Sequence, residues 1–303
     1  MNPTDPQKAA PLLVSRPATC RDCLDAGEQR LQTAGCDAPR QSALWLLQDA
    51  TGSTPTQMYR DLDAVVPPDA VSTFEAAIER RAQGEPLQHI LGYTEFYGLK
   101  IRVSPDVLVP RPETEEVVEY ALKKLSGIPE PRVLDVGTGS GCIALAVKHT
   151  RPEARVRACD VSDAACEIAR RNASALDLSI DVSAADMLST GFPDAVGGPY
   201  ELVISNPPYI PDEEAETLSD TVREYDPPLA LFAGEDPLRF YIALAHSAPD
   251  VLVPGGYLIV ETHADFSDGV SRVFEEGGFE EVEVQTDLSG RPRIVCGVRA
   301  ASA

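Results

Sequence analysis

The sequence predicts an α/β fold: a mostly parallel seven-stranded sheet covered by helices on both faces, preceded by a small all-helical domain and a β-hairpin linker. Three observations point there. From Pro112 onward short apolar runs alternate with helical patterns, and that alternation builds parallel sheets. Before Arg81 apolar residues recur at helical spacing with no strand signal between them. Between the two regions, Tyr93 to Val109 is rich in aromatic and β-branched residues around one glycine, a hairpin signal. A chain of 303 residues, 43% apolar and 24% charged, is long enough for two cores.

Residues 1–16 are Pro-rich and polar and are expected to be disordered. The helical domain, 17–84, rests on Leu24, Leu31, Leu44, Leu46, Leu47, Val71, Phe74, Ala77 and Ile78. Gly35, Pro39, Gly52, Pro55 and Pro67-Pro68 cut it into three to five short helices. The composition changes at Gly84-Glu85-Pro86, and 85–110 is the linker, its hairpin turning at Gly98. In the last region, 111–303, helices are expected at 113–125, 140–148, 162–176, 237–248 and 266–276. Strands are expected at 132–136, 155–159, 179–183, 201–205 and 256–261, with a closing hairpin near 280–285 and 293–298 that can supply an antiparallel edge. Ligands of such sheets bind at the carboxyl ends of the strands.

Charge narrows the function. Asp and Glu number 48 against 26 Lys and Arg, a net charge of -22, which excludes a broad electrostatic footprint for nucleic acid while leaving room for a local basic groove. The acidic excess is dispersed and only five lysines occur, a surface that suits either a high-salt cytoplasm or ordinary solubility by net charge. No basic stretch followed by an apolar run opens the chain, and no 18-residue apolar stretch follows, so neither a secretory signal nor a membrane span is expected. A cytoplasmic monomer is the expectation. The seven scattered cysteines fit reduced thiols, and Cys20-Arg21-Asp22-Cys23, lacking a second ligand pair, reads as two small residues one helical turn apart. No metal is expected.

The chemistry gathers at the strand ends. The first strand of the last region runs into Gly137-Thr138-Gly139-Ser140-Gly141 and then directly into a helix, so glycines let a ligand approach the backbone and the helix start offers N–H groups. Such a turn also serves a dinucleotide, or no ligand at all. Asp135, Asp160 and Asp186 fall at successive strand ends on one side of the sheet. Asp160 is placed to accept hydrogen bonds from both ribose hydroxyls of a nucleoside. The fourth strand ends in Asn206-Pro207-Pro208-Tyr209, which could be only a rigid turn. Facing a glycine loop, it suits methyl transfer to a planar amide or amino nitrogen. The Asn206 side-chain oxygen and the Pro207 carbonyl can accept the two N–H bonds and orient the nitrogen, and Tyr209 offers an aromatic wall.

Asp135-Val136-Gly137-Thr138-Gly139-Ser140-Gly141 followed by Asn206-Pro207-Pro208-Tyr209 resembles the class I S-adenosylmethionine-dependent methyltransferases that modify nitrogen, whose fold is Rossmann-like. Further segments are similar to one family among them, the release-factor glutamine methyltransferases (HemK/PrmC family). They are Gly84-Glu85-Pro86-Leu87-Gln88-His89-Ile90-Leu91-Gly92 with Phe96, Val109-Pro110-Arg111-Pro112-Glu113-Thr114-Glu115, Asp226-Pro227-Pro228-Leu229-Ala230-Leu231 and Asp287-Leu288-Ser289-Gly290-Arg291. The similarity spans roughly 20–299. It implies that Gly137, Thr138, Gly139, Ser140 and Gly141 cradle the methionine part of S-adenosylmethionine, Asp160 holds the ribose, Asp186 and Met187 border the adenine, and Asn206 touches both cofactor and substrate. Asn206, Pro207, Pro208 and Tyr209 would grip a glutamine side chain, with Asn206, Pro207 and Tyr209 carrying the catalysis.

The implied reaction is direct SN2 methylation of the Gly-Gly-Gln glutamine of class I peptide-chain release factors, tuning translation termination and leaving S-adenosylhomocysteine. The helical domain would recognise the protein substrate. Relatives often carry an aromatic residue where Met187 stands, and Glu-Pro-Arg where this chain reads Asp226-Pro227-Pro228, which removes a cation from that loop. Arg111, Glu113 and Glu115 are expected near the methionine end or the rim, with no catalytic role assigned. Two rivals are a nucleic acid adenine N6-methyltransferase, which lacks a visible basic element here, and a non-catalytic cofactor-binding scaffold, which has no need of an intact Asn206-Pro207-Pro208-Tyr209. A cysteine nucleophile at Cys142 lacks a neighbouring histidine, and His89, His149, His246 and His263 read as structural or exposed.

Overall fold

The computed structural model describes residues 17–301, so the expected disordered segment, 1–16, lies outside them. The chain divides after Leu91 into two compact units. The first holds α1 (Cys20–Thr33), α2 (Pro39–Thr51), α3 (Pro55–Arg60), α4 (Pro68–Ala82) and α5 (Leu87–Leu91). Prolines open α2, α3 and α4 at positions where a missing N–H costs nothing, and Thr19 and Thr54 close reciprocal capping boxes with Asp22 and Gln57. The apolar stripes of α1, α2 and α4 meet in a core of Leu24, Leu31, Leu46, Leu47, Phe74 and Ile78. Cys20 and Cys23 are free thiols on the buried side of α1.

The hairpin, expected as part of a linker, belongs to the core of the second unit. Strands β1 (Tyr93–Phe96) and β2 (Leu99–Arg102) pair antiparallel, and Phe96, Leu99 and Ile101 pack with α6 (Pro112–Lys124) and α7 (Cys142–Thr150). Its turn places Tyr97 and Gly98 at φ 51° and 75°, the left-handed pair that a two-residue hairpin requires. Tyr97 is no glycine. Its N–H donates to Glu115 Oε1 on α6 at 2.8 Å, which helps hold the strained residue in place.

Seven strands form the main sheet: β3 (Arg132–Val136), β4 (Arg155–Asp160), β5 (Asp181–Ala184) and β6 (Tyr200–Ser205), then β9 (Leu252–Glu261), β10 (Phe279–Thr286) and β11 (Pro292–Arg299). Two short strands, β7 (Ile210–Pro211) and β8 (Phe232–Gly234), pair apart from it. The order across the sheet is β10-β11-β9-β6-β3-β4-β5, parallel from β9 to β5. Side chains alternate between faces. Val133, Leu202, Ile204 and Ile259 face α6, α7 and α8 (Asp163–Ala175), while Leu134, Val203, Leu258 and Val260 face α9 (Phe192–Val196), α12 (Arg239–Val251) and α13 (Ser267–Glu276). The remaining helices, α10 (Asp220–Tyr225) and α11 (Pro228–Leu231), sit in the excursion between β7 and β8.

The closing hairpin supplies the expected antiparallel edge, with β10 outermost. Its antiparallel strand, β11, lies inside, between β9 and β10. Ile294 to Gly297 are all buried, whereas β10 carries Glu280, Glu281 and Glu283, and a charged strand guards an edge better than an apolar one. Strand β9 starts four residues before its expected start, because Pro254-Gly255-Gly256 reads as a turn but is absorbed as an irregularity in the pairing with β6. Among the described residues no helix is long and apolar enough to cross a membrane.

Candidate functional site

Chain order reverses at β3, whose neighbours are β4 and β6, and such a switch point opens a crevice at the strand ends. Val136 and Ser205 pair there, and Ser205 Oγ donates to the Val136 carbonyl at 2.7 Å. The glycine loop leaves β3 and Asn206 leaves β6, side by side. A pocket lies over them, lined by Gly137, Thr138, Gly139, Ser140, Asp160, Asp186, Met187, Asn206 and Pro208, with Pro110, Arg111, Thr114, Pro227 and Leu229 also at its wall.

Asp135 underlies the loop instead of facing the pocket. It is fully buried; Oδ2 accepts from Thr138 Oγ1 at 2.6 Å and from the Ala144 N–H at 3.1 Å, tying the loop to the start of α7. Burial pushes its carboxyl up to about 7. Gly137, Gly139 and Gly141 all have positive φ. Gly141 does not reach the pocket; it caps α7, where a Cβ would stand 3.1 Å from Ala169 Cβ. On α8, the buried Asn172 binds both the N–H and the carbonyl of Arg102, and donates to the Ser140 carbonyl at 2.8 Å, so the hairpin and the loop share one anchor.

The loop's N–H groups are largely spent within the protein. Those of Gly137 and Thr138 donate to the Cys159 carbonyl, that of Gly141 to the Thr138 carbonyl, and that of Gly139 to Asp160 Oδ2 at 2.9 Å. A pyrophosphate needs such donors, so this cradle suits a ligand without phosphate. Asp160 accepts one N–H on each oxygen, from Gly139 and Ser162, and each oxygen keeps a further lone pair for a ribose hydroxyl. Burial raises its carboxyl above the ordinary value, and the backbone N–H groups of Ser162, Gly139 and Val161 pull it back. Met187 approaches Gly137 closely enough that a Cβ there would lie 3.6 Å from its methyl, and Ala185 and Val161 extend the apolar surface. An acceptor pair beside an apolar slot fits the nucleoside of S-adenosylmethionine.

Asn206 is half-buried at the pocket wall. Its Nδ2 donates to Thr114 Oγ1 at 3.3 Å, and Oδ1 has no partner among the described residues. Thr114 Oγ1 in turn donates to Glu261 Oε2 at 2.7 Å, both residues being buried. Neither Thr114 nor Glu261 had a role in the sequence reading, although Glu261 ends a strand at the same edge as the aspartates, the signal that singled those out. Pro207 is buried and lies off the lining. Tyr209 also lies off it, its ring 6.0 Å from that of His263, and burial pushes its phenol up to about 12.

Arg111 lines the pocket and donates to Asp226 Oδ2 at 2.6 Å, whereas Glu113 is exposed and Glu115 serves the hairpin turn. Cys142 lines the pocket, but burial pushes its thiol up to about 12, so it stays protonated and a poor nucleophile. None of the four histidines lines it.

Two family matches cover much of the chain: the PrmC N-terminal domain over residues 22–92 and the methyltransferase small domain over 117–224. A release factor glutamine methyltransferase of Chlorobaculum tepidum is 45% identical over 84% of this chain and 88% of its own. Proteins of the same description from Deinococcus radiodurans and Caulobacter vibrioides are 38% and 40% identical, over 92% and 90% of this chain and 98% and 94% of theirs. Among solved structures, the hMettl16 catalytic domain in complex with MAT2A 3'UTR hairpin 6 superposes with a TM-score of 0.54 at 17% identity, over 75% of this chain and 82% of that one, a likeness of fold.

Proposed function

The chain belongs to the release factor glutamine methyltransferase family, and from that premise we propose that it methylates the side-chain nitrogen N5 of the Gly-Gly-Gln glutamine in class I peptide-chain release factors. S-adenosylmethionine is the proposed methyl donor and S-adenosylhomocysteine the product. One observation carries the reading: Asn206 stands at the pocket wall with its amide nitrogen already engaged and its oxygen open.

When bound, S-adenosylmethionine supplies an electrophilic methyl group on a sulfonium. Gly137, Thr138, Gly139 and Ser140 shape the space for its methionine part, Asp160 accepts from its ribose, and Asp186 and Met187 border its base. Asn206 Oδ1 and the Pro207 carbonyl accept the two N–H groups of the glutamine amide, which orients a nitrogen whose lone pair is otherwise delocalised. Pro207 and Pro208 have no N–H, so no donor of theirs competes for those acceptors. Tyr209 packs behind this segment as part of its support. The site holds the reactants in line: the amide attacks in its neutral form, the nitrogen–methyl bond forms as the sulfur–methyl bond breaks, and the methylated amide then loses one N–H proton to solvent.

The proposed setting is the cytoplasm, where its substrate works, with the protein acting as a monomer that binds no nucleic acid directly. Mass spectrometry of a class I release factor co-expressed with this chain tests the reading: a single added methyl on the Gly-Gly-Gln glutamine is expected. Transfer of labelled methyl to duplex DNA or RNA and not to the release factor would overturn it.

A further inference from the structure

A carboxamide has two ends of nearly equal size and opposite hydrogen-bonding character, and only one of them can accept the N–H groups of a substrate amide. Whatever fixes that choice at Asn206 decides whether the site works. The only hydrogen bond its side chain makes among the described residues is the one Nδ2 donates to Thr114 Oγ1, and Thr114 in turn donates to Glu261.

We propose that Glu261 is a positioning residue for methyl transfer: acting through the Thr114 hydroxyl, its ionised carboxylate sets the Asn206 oxygen toward the substrate, and its protonation releases that choice. The proposal rests on the reading of Asn206 given above. A hydroxyl has one proton and two lone pairs. An ionised Glu261 can only accept, so the Thr114 hydroxyl donates to it along the 2.7 Å bond, and Thr114 Oγ1 offers Asn206 lone pairs alone. The NH2 end of Asn206 must then face Thr114, as it does at 3.3 Å, leaving Oδ1 toward the pocket. A protonated Glu261 donates to Thr114 instead, which frees the Thr114 proton to turn toward Asn206. The reversed amide becomes equally satisfied, and a substrate NH2 would meet another NH2.

The strand geometry supports this chain of bonds. Ser205 on β6 pairs with Val260 on β9, so Asn206 and Glu261 are the next residues on two parallel neighbours, and Thr114 comes from the first turn of α6. The Tyr241 hydroxyl on α12 holds the Glu261 carbonyl at 3.1 Å, and Ile294 on β11 pairs with Glu261. Burial pushes the Glu261 carboxyl up to about 7, opposed by the Thr114 hydroxyl, by Arg293 on β11 and by Arg111, and reinforced by Glu113. Of the groups around it, Tyr209, Tyr241 and Cys142 are pushed up by burial and so neutral across this range, while Arg293 is paired with Asp287 and Arg111 with Asp226. Asp135 beneath the glycine loop is itself raised to about 7, so Glu261→Gln is the variant that assigns the midpoint. The switch therefore falls close to neutral pH.

The chain has three asparagines, Asn2, Asn172 and Asn206, so protein labelled with 15N asparagine gives three side-chain NH2 signals, that of Asn206 being identified by its loss in Asn206→Asp. Titrating the apo protein, the Asn206 signal is expected to move with a midpoint near 7. Asn172, held by three bonds, serves as the unmoving reference. The midpoint should persist in Thr114→Ser and vanish in Thr114→Val and Glu261→Gln. In turnover with S-adenosylmethionine and a release factor, kcat should fall about twofold from pH 8 to pH 6 in wild type and Thr114→Ser, because half of the protonated molecules then carry the reversed amide, and stay level in Glu261→Gln. An Asn206 signal indifferent to pH from 5.5 to 8.5, or a midpoint surviving in Glu261→Gln, overturns the relay. A moving signal in a protein that leaves release factors unmethylated upholds the relay and removes the proposed substrate instead.

Discussion

The Arg111 guanidinium donates to the Asp226 carboxylate at 2.6 Å, joining segments 115 residues apart. Asp226 is almost wholly buried at 4% exposure, while Arg111 keeps 43%. Both segments border the pocket, through Arg111 on one side and Pro227 and Leu229 on the other. Asp226-Pro227-Pro228 carries no cation of its own, and Arg111 brings one to this loop from the α6 side.

Arg111→Ala should therefore loosen the pocket wall and weaken S-adenosylmethionine binding about tenfold, the order expected for one charge-assisted bond with a half-exposed partner. Calorimetric titration of the variant at low salt checks this, and the deficit relative to wild type should shrink as salt screens the pair.

Asn206→Ala should separate binding from chemistry. Cofactor affinity stays within about threefold of wild type, while kcat toward a release factor falls by roughly 10²-fold or more, because the lost oxygen acts only on the amide to be methylated. Equal losses in both would contradict its assigned place.

Asp135 gives a pH signature in stability. Its carboxyl lies at about 7 in the fold, raised from 3.8, so between those values the folded chain binds more protons than the unfolded one. Stability from this group is then full at low pH and declines as pH rises toward 7. Measured by urea unfolding, wild type should lose roughly 1–3 kcal/mol relative to Asp135→Asn between pH 5 and pH 7.5. A constant difference across that range would show that Asp135 is ionised throughout.

Thiol chemistry probes the packing. Six of the seven cysteines are buried and Cys36 is partly exposed. Native protein should react with one equivalent of an aromatic disulfide reagent within minutes and with seven after denaturation. Rapid reaction at Cys142 would mean that the pocket wall opens.

Much of this architecture is legible because it is periodic or local. Leu24, Leu31, Phe74 and Ile78 announce the helical core by spacing, and Val133, Leu202 and Ile259 mark strands by run length. Pocket residues are legible where a short motif holds them together, as in Gly137 to Gly141. What the sequence hides is pairing at long range. Nothing near Thr114 points to Glu261, 147 residues later, or near Arg102 to Asn172. Short elements such as α9, α10 and α11 have too few residues to show a period. The helix expected at 237–248 runs on to Val251 with Pro249 inside it, a proline in the final turn removing only one bond.

The first turn of α6 is bound outward in three directions: Arg111, just before it, to Asp226; Thr114 to Asn206 and Glu261; and Glu115 to the N–H of Tyr97. Five consecutive residues thus act as a rivet through separate layers of the unit. Anyone transplanting this pocket onto another scaffold, or recutting it for a different amide, would have to move Arg111 through Glu115 as one indivisible block, together with the sockets that receive it.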